Sequence, residues 1–417
     1  MIPETKPRNT HQQKHALAEP DATQPPQSQI HDVVHADKRS ARWSARRQRD
    51  AWFLLLILLL GVVTILALSN GAATLKQQAN IAQLGTPPAT TMSGTPTPPA
   101  RVLVRTAQTH LYPFPSSNIG LMQPAVDAQG NLWVGEMYAN RLARLDSHTE
   151  AVSTWAPPNG NYGLMTAVID IYGNVWFVEQ GANYIGRFDP LQQTFRVFPL
   201  GTSNGRLMGP QDLQFDASGK LWFTGVSAGQ IGQLDPTTGA IQTWSVPAPR
   251  AGIAATPFSL TVTGDEQVWF GYISGGAVGH LDPATGHVTL YHLADPQAQV
   301  FSMGHDAHGR IWFTEIVPGK LGIIDSTTGR VIELPVPAVA GHPAALYGLV
   351  VAYDGAVWFV NNGADALVRY SSKDTSYTFF QLSLPSSAPY GLTLDSAGRL
   401  WFTASGSSAN IVGEMHP

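Results

Sequence analysis

Seven tryptophans, each preceded by an aliphatic residue, recur at Trp133, Trp176, Trp222, Trp269, Trp312, Trp358 and Trp401, with spacings of 43, 46, 47, 43, 46 and 43 residues. A unit of this length cannot bury its own apolar face and must stack on copies of itself. Short alternating apolar runs and Asp-Gly turns between the tryptophans make each unit a four-stranded sheet, so the period predicts a seven-bladed β-propeller over residues 101–417. Composition agrees, with 40 Gly, 31 Pro and 13% charged residues in 417, as a turn-rich all-β repeat domain requires. The chain has no cysteine, which excludes disulfides, thiolate metal sites and a cysteine nucleophile.

Within a copy, an inner strand runs into an Asp-x-x-Gly turn, as at Asp127–Gly130, Asp170–Gly173, Asp216–Gly219, Asp306–Gly309 and Asp395–Gly398. The second strand carries Trp-Phe or its equivalent. A third follows with Ile185-Gly186, Ile231-Gly232, Val278-Gly279 or Leu321-Gly322, and a turn such as Asp235–Gly239 leads to an outer strand. The last copy ends after its third strand. Thr109–Pro115 has the alternation and terminal proline of the outer strands, so it is expected to complete blade 7 and pair an edge that would otherwise stay open.

Residues 1–50 are polar with little apolar periodicity and read as a disordered tail. Six basic residues (Lys38, Arg39, Arg42, Arg46, Arg47, Arg49) then precede an uncharged run of 19 residues, Ala51–Ser69. A helix rising about 1.5 Å per residue through such a run just spans a hydrocarbon core of roughly 30 Å. The basic cluster places the N-terminus in the cytoplasm and the rest outside, a single-pass anchor in the cell membrane. A cleaved signal peptide is the rival reading, but its apolar region is shorter. Residues 70–100, rich in Thr and Pro, read as an extended spacer that holds the propeller off the membrane. Ten of the 25 basic and six of the 29 acidic residues lie in the first hundred, leaving 15 against 23 in the propeller, a net charge of −8. That sign argues against nucleic acid as a partner.

The position eleven residues before each tryptophan, where the inner strand starts beside the channel, reads Met122, Met165, Gln211, Phe258, Phe301, Tyr347 and Tyr390. An apolar, aromatic ring suits a hydrophobic or planar ligand; side chains that merely plug the channel are the structural alternative. Glu136, Glu179 and Glu315 recur three residues after the tryptophan, with Asn361 in blade 6. They are expected to rim the ring, as candidates for a weak divalent-cation site or as groups bonded to a neighbouring blade. His305 stands where other blades carry an aliphatic or aromatic residue. It is expected to be buried and hydrogen-bonded between blades, with Glu315 as its partner for testing should chemistry reside in blade 5.

The seven repeats, Trp-Phe-x-Glu at Trp176–Glu179 and Trp312–Glu315, and Pro389-Tyr390-Gly391 in the last blade give a chain that resembles the streptogramin B (virginiamycin B) lyase family. The resemblance covers residues 101–417. It implies a Mg²⁺-dependent carbon–oxygen lyase acting on a cyclic depsipeptide, with a histidine base in a Pro-His-Gly of the final blade and glutamates serving metal and substrate. Here the histidine position is Tyr390, the glutamate two residues earlier is Ala388, and the one after the blade's Trp-Phe is replaced by Ala404 and Ser405. A tyrosine with a pKa of about 10 is a poor base near neutrality. The reading that results is a membrane-anchored propeller binding a small molecule or protein on its channel face. The alternative is a Mg²⁺-dependent lyase for which Tyr390, His305 and Glu315 are the catalytic candidates.

Overall fold

Every one of the seven tryptophans lies on the second of four adjacent antiparallel strands, and these four-stranded units follow one another in chain order. The structure, a computed structural model, describes residues 100–116, 119–158, 163–406 and 410–417. The expected tail, membrane helix and residues 70–99 of the spacer lie outside the described residues. Among the described residues no helix is long and apolar enough to cross a membrane.

Blade 5 shows the plan. Val300–His305 lines the channel, Arg310–Glu315 and Lys320–Asp325 follow, and Val331–Pro335 is outermost. The other inner strands are Ala125–Val126, Leu164–Ile169, Pro210–Phe215, Pro257–Val262, Leu346–Val351 and Pro389–Leu394. From blade 2 to blade 7 each has a register shift just after its start, as between Val300 and Ser302. Such a bulge bends the strand and re-aims the side chain beside it.

Two local devices explain the sequence signature. In five blades the turn aspartate accepts the indole N–H of its tryptophan six residues on, from Asp127, Asp170, Asp216, Asp306 and Asp395 at 2.7–3.0 Å. The other oxygen of the same carboxylate caps backbone N–H groups of the turn, as Asp306 does for His308 and Arg310. Blades 4 and 6 carry Thr263 and Ala352 there and lack the clasp. The Gly of the third strand lies under the phenylalanine that follows the tryptophan: a Cβ on Gly186, Gly232, Gly279, Gly322 or Gly413 would fall inside that ring. Asp306→Ala is expected to lower stability by about 2–3 kcal/mol, since it orphans a buried indole N–H and two backbone donors. Urea unfolding at neutral pH checks this; an unchanged midpoint would mean the clasp is ornamental.

Blades adhere through apolar faces and a bridging hydroxyl. The residue two after the tryptophan in blades 3, 5 and 7 is Thr224, Thr314 or Thr403. Each accepts an N–H from its own inner strand and donates to a carbonyl of the next blade, those of Phe258, Tyr347 and Met122 respectively. The last of these, at 3.0 Å, joins blade 7 to blade 1.

Closure follows expectation and adds to it. Thr109–Pro113 pairs antiparallel with Asn410–Met415 as the outer strand of blade 7. Ahead of it, Arg101–Thr106 pairs parallel with Ser376–Gln381 as a fifth strand of blade 6. Nothing in the repeat pattern announces that strand, because the other blades have no counterpart.

Candidate functional site

The bulges turn the ring residues into the channel. Phe258, Phe301, Tyr347 and Tyr390 meet there, with centroids 5.3 Å apart for Phe258–Phe301, 4.7 Å for Phe301–Tyr347, 5.2 Å for Phe301–Tyr390 and 5.6 Å for Tyr347–Tyr390. Phe301 of blade 5 reaches Tyr390 of blade 7, so these rings close over one side of the channel mouth. Met122, Met165 and Gln211 are buried on the other side. Gln211 accepts from the Gln180 amide at 2.9 Å.

From this ring a cavity of about 360 Å³ runs along the inner strands. Six of the seven ring residues line it, all but Tyr347, and it extends to Val126, Ile169 and Leu394, the residues that enter the turns of blades 1, 2 and 7. Its size lies within the range of small-molecule sites, and its wall mixes apolar side chains with polar ones such as Gln123, Thr166, Gln211, Asp212 and Gln214.

One of those polar groups escaped the sequence reading. Asp212 follows Gln211 at the bulge of blade 3 and faces the cavity. Its two oxygens accept the N–H groups of Leu213 at 2.9 Å and of Leu260, in blade 4, at 3.0 Å. Burial pushes its carboxyl up to about 6, against those hydrogen bonds. Thr166 and Ser302 occupy the same position and also bridge to the next blade, so the position serves the fold. What sets blade 3 apart is the ionisable group. The available signal was the one acid among the described inner strands.

The setting of Tyr390 works against a role as base. Burial, together with Tyr347, Tyr138 and Asp212, drives its phenol far above the ordinary value. Tyr347 is shifted upward by burial as well.

The expectation that Glu136, Glu179 and Glu315 rim the ring is corrected. Glutamate and phenylalanine alternate with tryptophan along the second strand, which puts the acid on the face opposite the tryptophan. All three are at most 1% exposed, and none lines the cavity. Glu136 is bound by Arg141 at 2.7 Å. Burial raises the Glu136 carboxyl in spite of that arginine. Neither carboxyl oxygen of Glu315 has a hydrogen-bond partner among the described residues. Burial, with Glu333 adding to it and Lys320 opposing, pushes Glu315 up to about 8. Asn361, in the same position of blade 6, accepts the Ala345 N–H at 3.2 Å. Among the described residues no three His, Asp or Glu side chains come together in a way that would hold a metal ion.

His305 and Glu315 are not brought together either. His305 pairs with Ile311 at the turn end of blade 5 and Glu315 with Val300 at the other, about 13 Å apart along the strand. His305 Nδ1 lies 2.9 Å from Thr261 Oγ1 of blade 4, and burial depresses its pKa. It is hydrogen-bonded between blades as expected, but half-buried rather than buried.

Comparison with known proteins is consistent with this geometry. Virginiamycin B lyase from Staphylococcus aureus superposes with a TM-score of 0.66 at 21% identity, over 74% of this chain and 99% of that one. A streptogramin B lyase structure gives 0.64 at 23%, over 74% and 97%. A catalytically inactive histidine-to-alanine variant of the S. aureus enzyme, solved with quinupristin, gives 0.66 at 22%, over 74% and 99%. At these identities the likeness establishes the fold. No curated protein matches the sequence. The profile of the Virginiamycin B lyase family matches residues 100–346 and again 206–417, so the chain belongs to the virginiamycin B lyase family.

Proposed function

We propose that this protein is a binding member of the family: a membrane-anchored, extracytoplasmic propeller that holds a small, largely apolar ligand in its channel and does not open streptogramin rings. The observation that carries the reading is Tyr390. It stands where the family's base would be, burial holds its phenol in the neutral, protonated form, and it packs against Phe301 and Tyr347 as part of an aromatic wall. Elimination needs a base within reach of the acidic proton and a cation for the developing oxyanion. Here the acids that resemble the family's are buried at the ends of separate blades. Binding in a pocket of this kind rests on apolar area with a few orienting polar groups, for which Gln211, Asp212 and Thr166 are the candidates.

The test has two arms. Purified protein is incubated with a B-type streptogramin, with Mg²⁺ and with EDTA, and the ring-opened product is sought by chromatography and fragment analysis, since elimination leaves the mass unchanged. No product is expected, and Mg²⁺-dependent opening would overturn the proposal. A thermal-shift screen of small apolar compounds is then expected to yield stabilising ligands whose affinity falls at least tenfold in Met165→Trp, which fills the cavity. Hits that bind Met165→Trp unchanged would place the site elsewhere.

A further inference from the structure

Among the described residues the four most exposed large hydrophobic ones are Tyr353 at 99%, Ile171 at 93%, Leu191 at 90% and Tyr172 at 82%, well above the next, Val104 at 56%. All four occupy turns at the same end of the blades. Ile171 and Tyr172 form the tip between the first and second strands of blade 2, Tyr353 the equivalent tip of blade 6, and Leu191 the turn between the third and fourth strands of blade 2. In an antiparallel blade these turns fall at the same end of the strands, opposite the end at which Phe301 and Tyr390 close the channel.

Blades 2 and 6 lie nearly across the ring from one another, with two blades between them on one side and three on the other. The tips therefore stand on opposite rims of the channel rather than forming one patch. The acids beside them are occupied. Asp170 accepts from Tyr172 N–H and from the Trp176 indole, Asp189 from the N–H groups of Leu191 and Gln192, and Asp354 from Arg369 at 2.7 Å. Apolar tips on turns whose polar groups are satisfied internally can enter a less polar medium without stranding a charge.

The point at which the chain enters the domain selects the medium. Arg101 pairs with Ser376, the residue leaving the turn between the third and fourth strands of blade 6, and the segment 70–100 links it to the apolar run Ala51–Ser69. A tether of that length allows contact with the bilayer as well as the separation expected of an extended spacer. Tethering raises the local concentration of a surface so that a few weakly inserting side chains suffice, and tyrosine is at home at the membrane–water interface.

We infer that the turn-bearing face of the propeller rests on the bilayer that anchors it, with Ile171 and Tyr172 of blade 2 and Tyr353 of blade 6 seated at the lipid interface on either side of the channel. This rests on the reading of Ala51–Ser69 as a membrane anchor. A protein partner is the less favoured occupant because the apolar tips are separate and no contiguous patch joins them.

The absence of cysteine makes single-site labelling direct. The full chain, as Ile171→Cys, Tyr353→Cys or, on the opposite end of the blades, Ile253→Cys, is labelled with an environment-sensitive fluorophore and reconstituted in phosphatidylcholine vesicles with or without brominated chains. Quenching by the brominated lipid is expected at 171 and 353 and not at 253, and the double substitution Tyr172→Ser, Tyr353→Ser should reduce it at 171 severalfold. A carbonate wash of the same vesicles reports the anchor separately. Chain that resists the wash without quenching at 171 and 353 would sink the docking and leave the anchor standing. Chain that washes off yet is quenched at those two sites before washing would keep the docking and sink the anchor. Equal quenching at all three sites also overturns the docking.

Discussion

A chain lacking residues 100–115 is expected to lose its cooperative thermal unfolding transition, or to melt at least 10 °C below the intact protein. The segment supplies the outer strand of the last blade. Without Thr109–Pro113 the N–H and C=O groups of Asn410–Met415 that face it lose their partners. Tyr112 and Phe114, each 7% exposed, leave the core of that blade. Tyr112 stacks on Trp401 at 5.7 Å and donates its hydroxyl to Glu414 at 3.0 Å. Two buried aromatic side chains at about 1.5–3 kcal/mol each, plus the strand pairing, approach the total of about 5–15 kcal/mol that holds a domain folded. Removing residues 100–106 alone should be milder, because Val102 and Val104 on that strand are 39% and 56% exposed. Circular dichroism melts of the two truncations settle the matter: an unchanged melting temperature in the longer one would mean the ring closes by other means.

Glu315→Gln is expected to raise stability by less than about 1 kcal/mol at pH 5 and by roughly 5 kcal/mol at pH 9. Burial pushes the Glu315 carboxyl up to about 8 from an ordinary 4.5. The folded protein therefore favours the protonated acid, and the stability that proton confers is complete below about pH 4.5 and lost as pH rises through 8. Some 3.5 units at about 1.4 kcal/mol each give the upper figure. Glutamine keeps the shape of the protonated acid without the ionisation. Urea unfolding of both proteins at pH 5, 7 and 9 measures the divergence. Parallel profiles would show that Glu315 is solvated or paired when charged, and would revive it as a group available for chemistry.

The contrast between these two results shows where sequence reading succeeds and where it stops. The missing outer strand was recoverable because Thr109–Pro115 repeats a pattern that six other blades display. The environment of Glu315 was not recoverable. Its position in the repeat is visible, but whether the carboxylate meets the channel or the cleft between blades depends on which face of the second strand the bulged inner strand leaves open. Placing His305 between blades, hydrogen-bonded, needed only its aliphatic counterparts in other blades. Asp212 was passed over because ring membership was assigned by counting back from the tryptophan. A bulge of one residue lets its neighbour reach the cavity too.

The period of the tryptophans, the Asp-x-x-Gly turns and the alternation of the strands determined by themselves the number of blades, their four strands and the closure of the ring. These are local regularities multiplied by stacking, and each copy testifies to the others. The tertiary structure decided what has no copy: the parallel fifth strand on blade 6, the aromatic rings that close the channel from four different blades, and the burial of each glutamate in its own cleft. Those outcomes depend on distances between residues far apart in the chain, where packing and desolvation, rather than any period, select the arrangement.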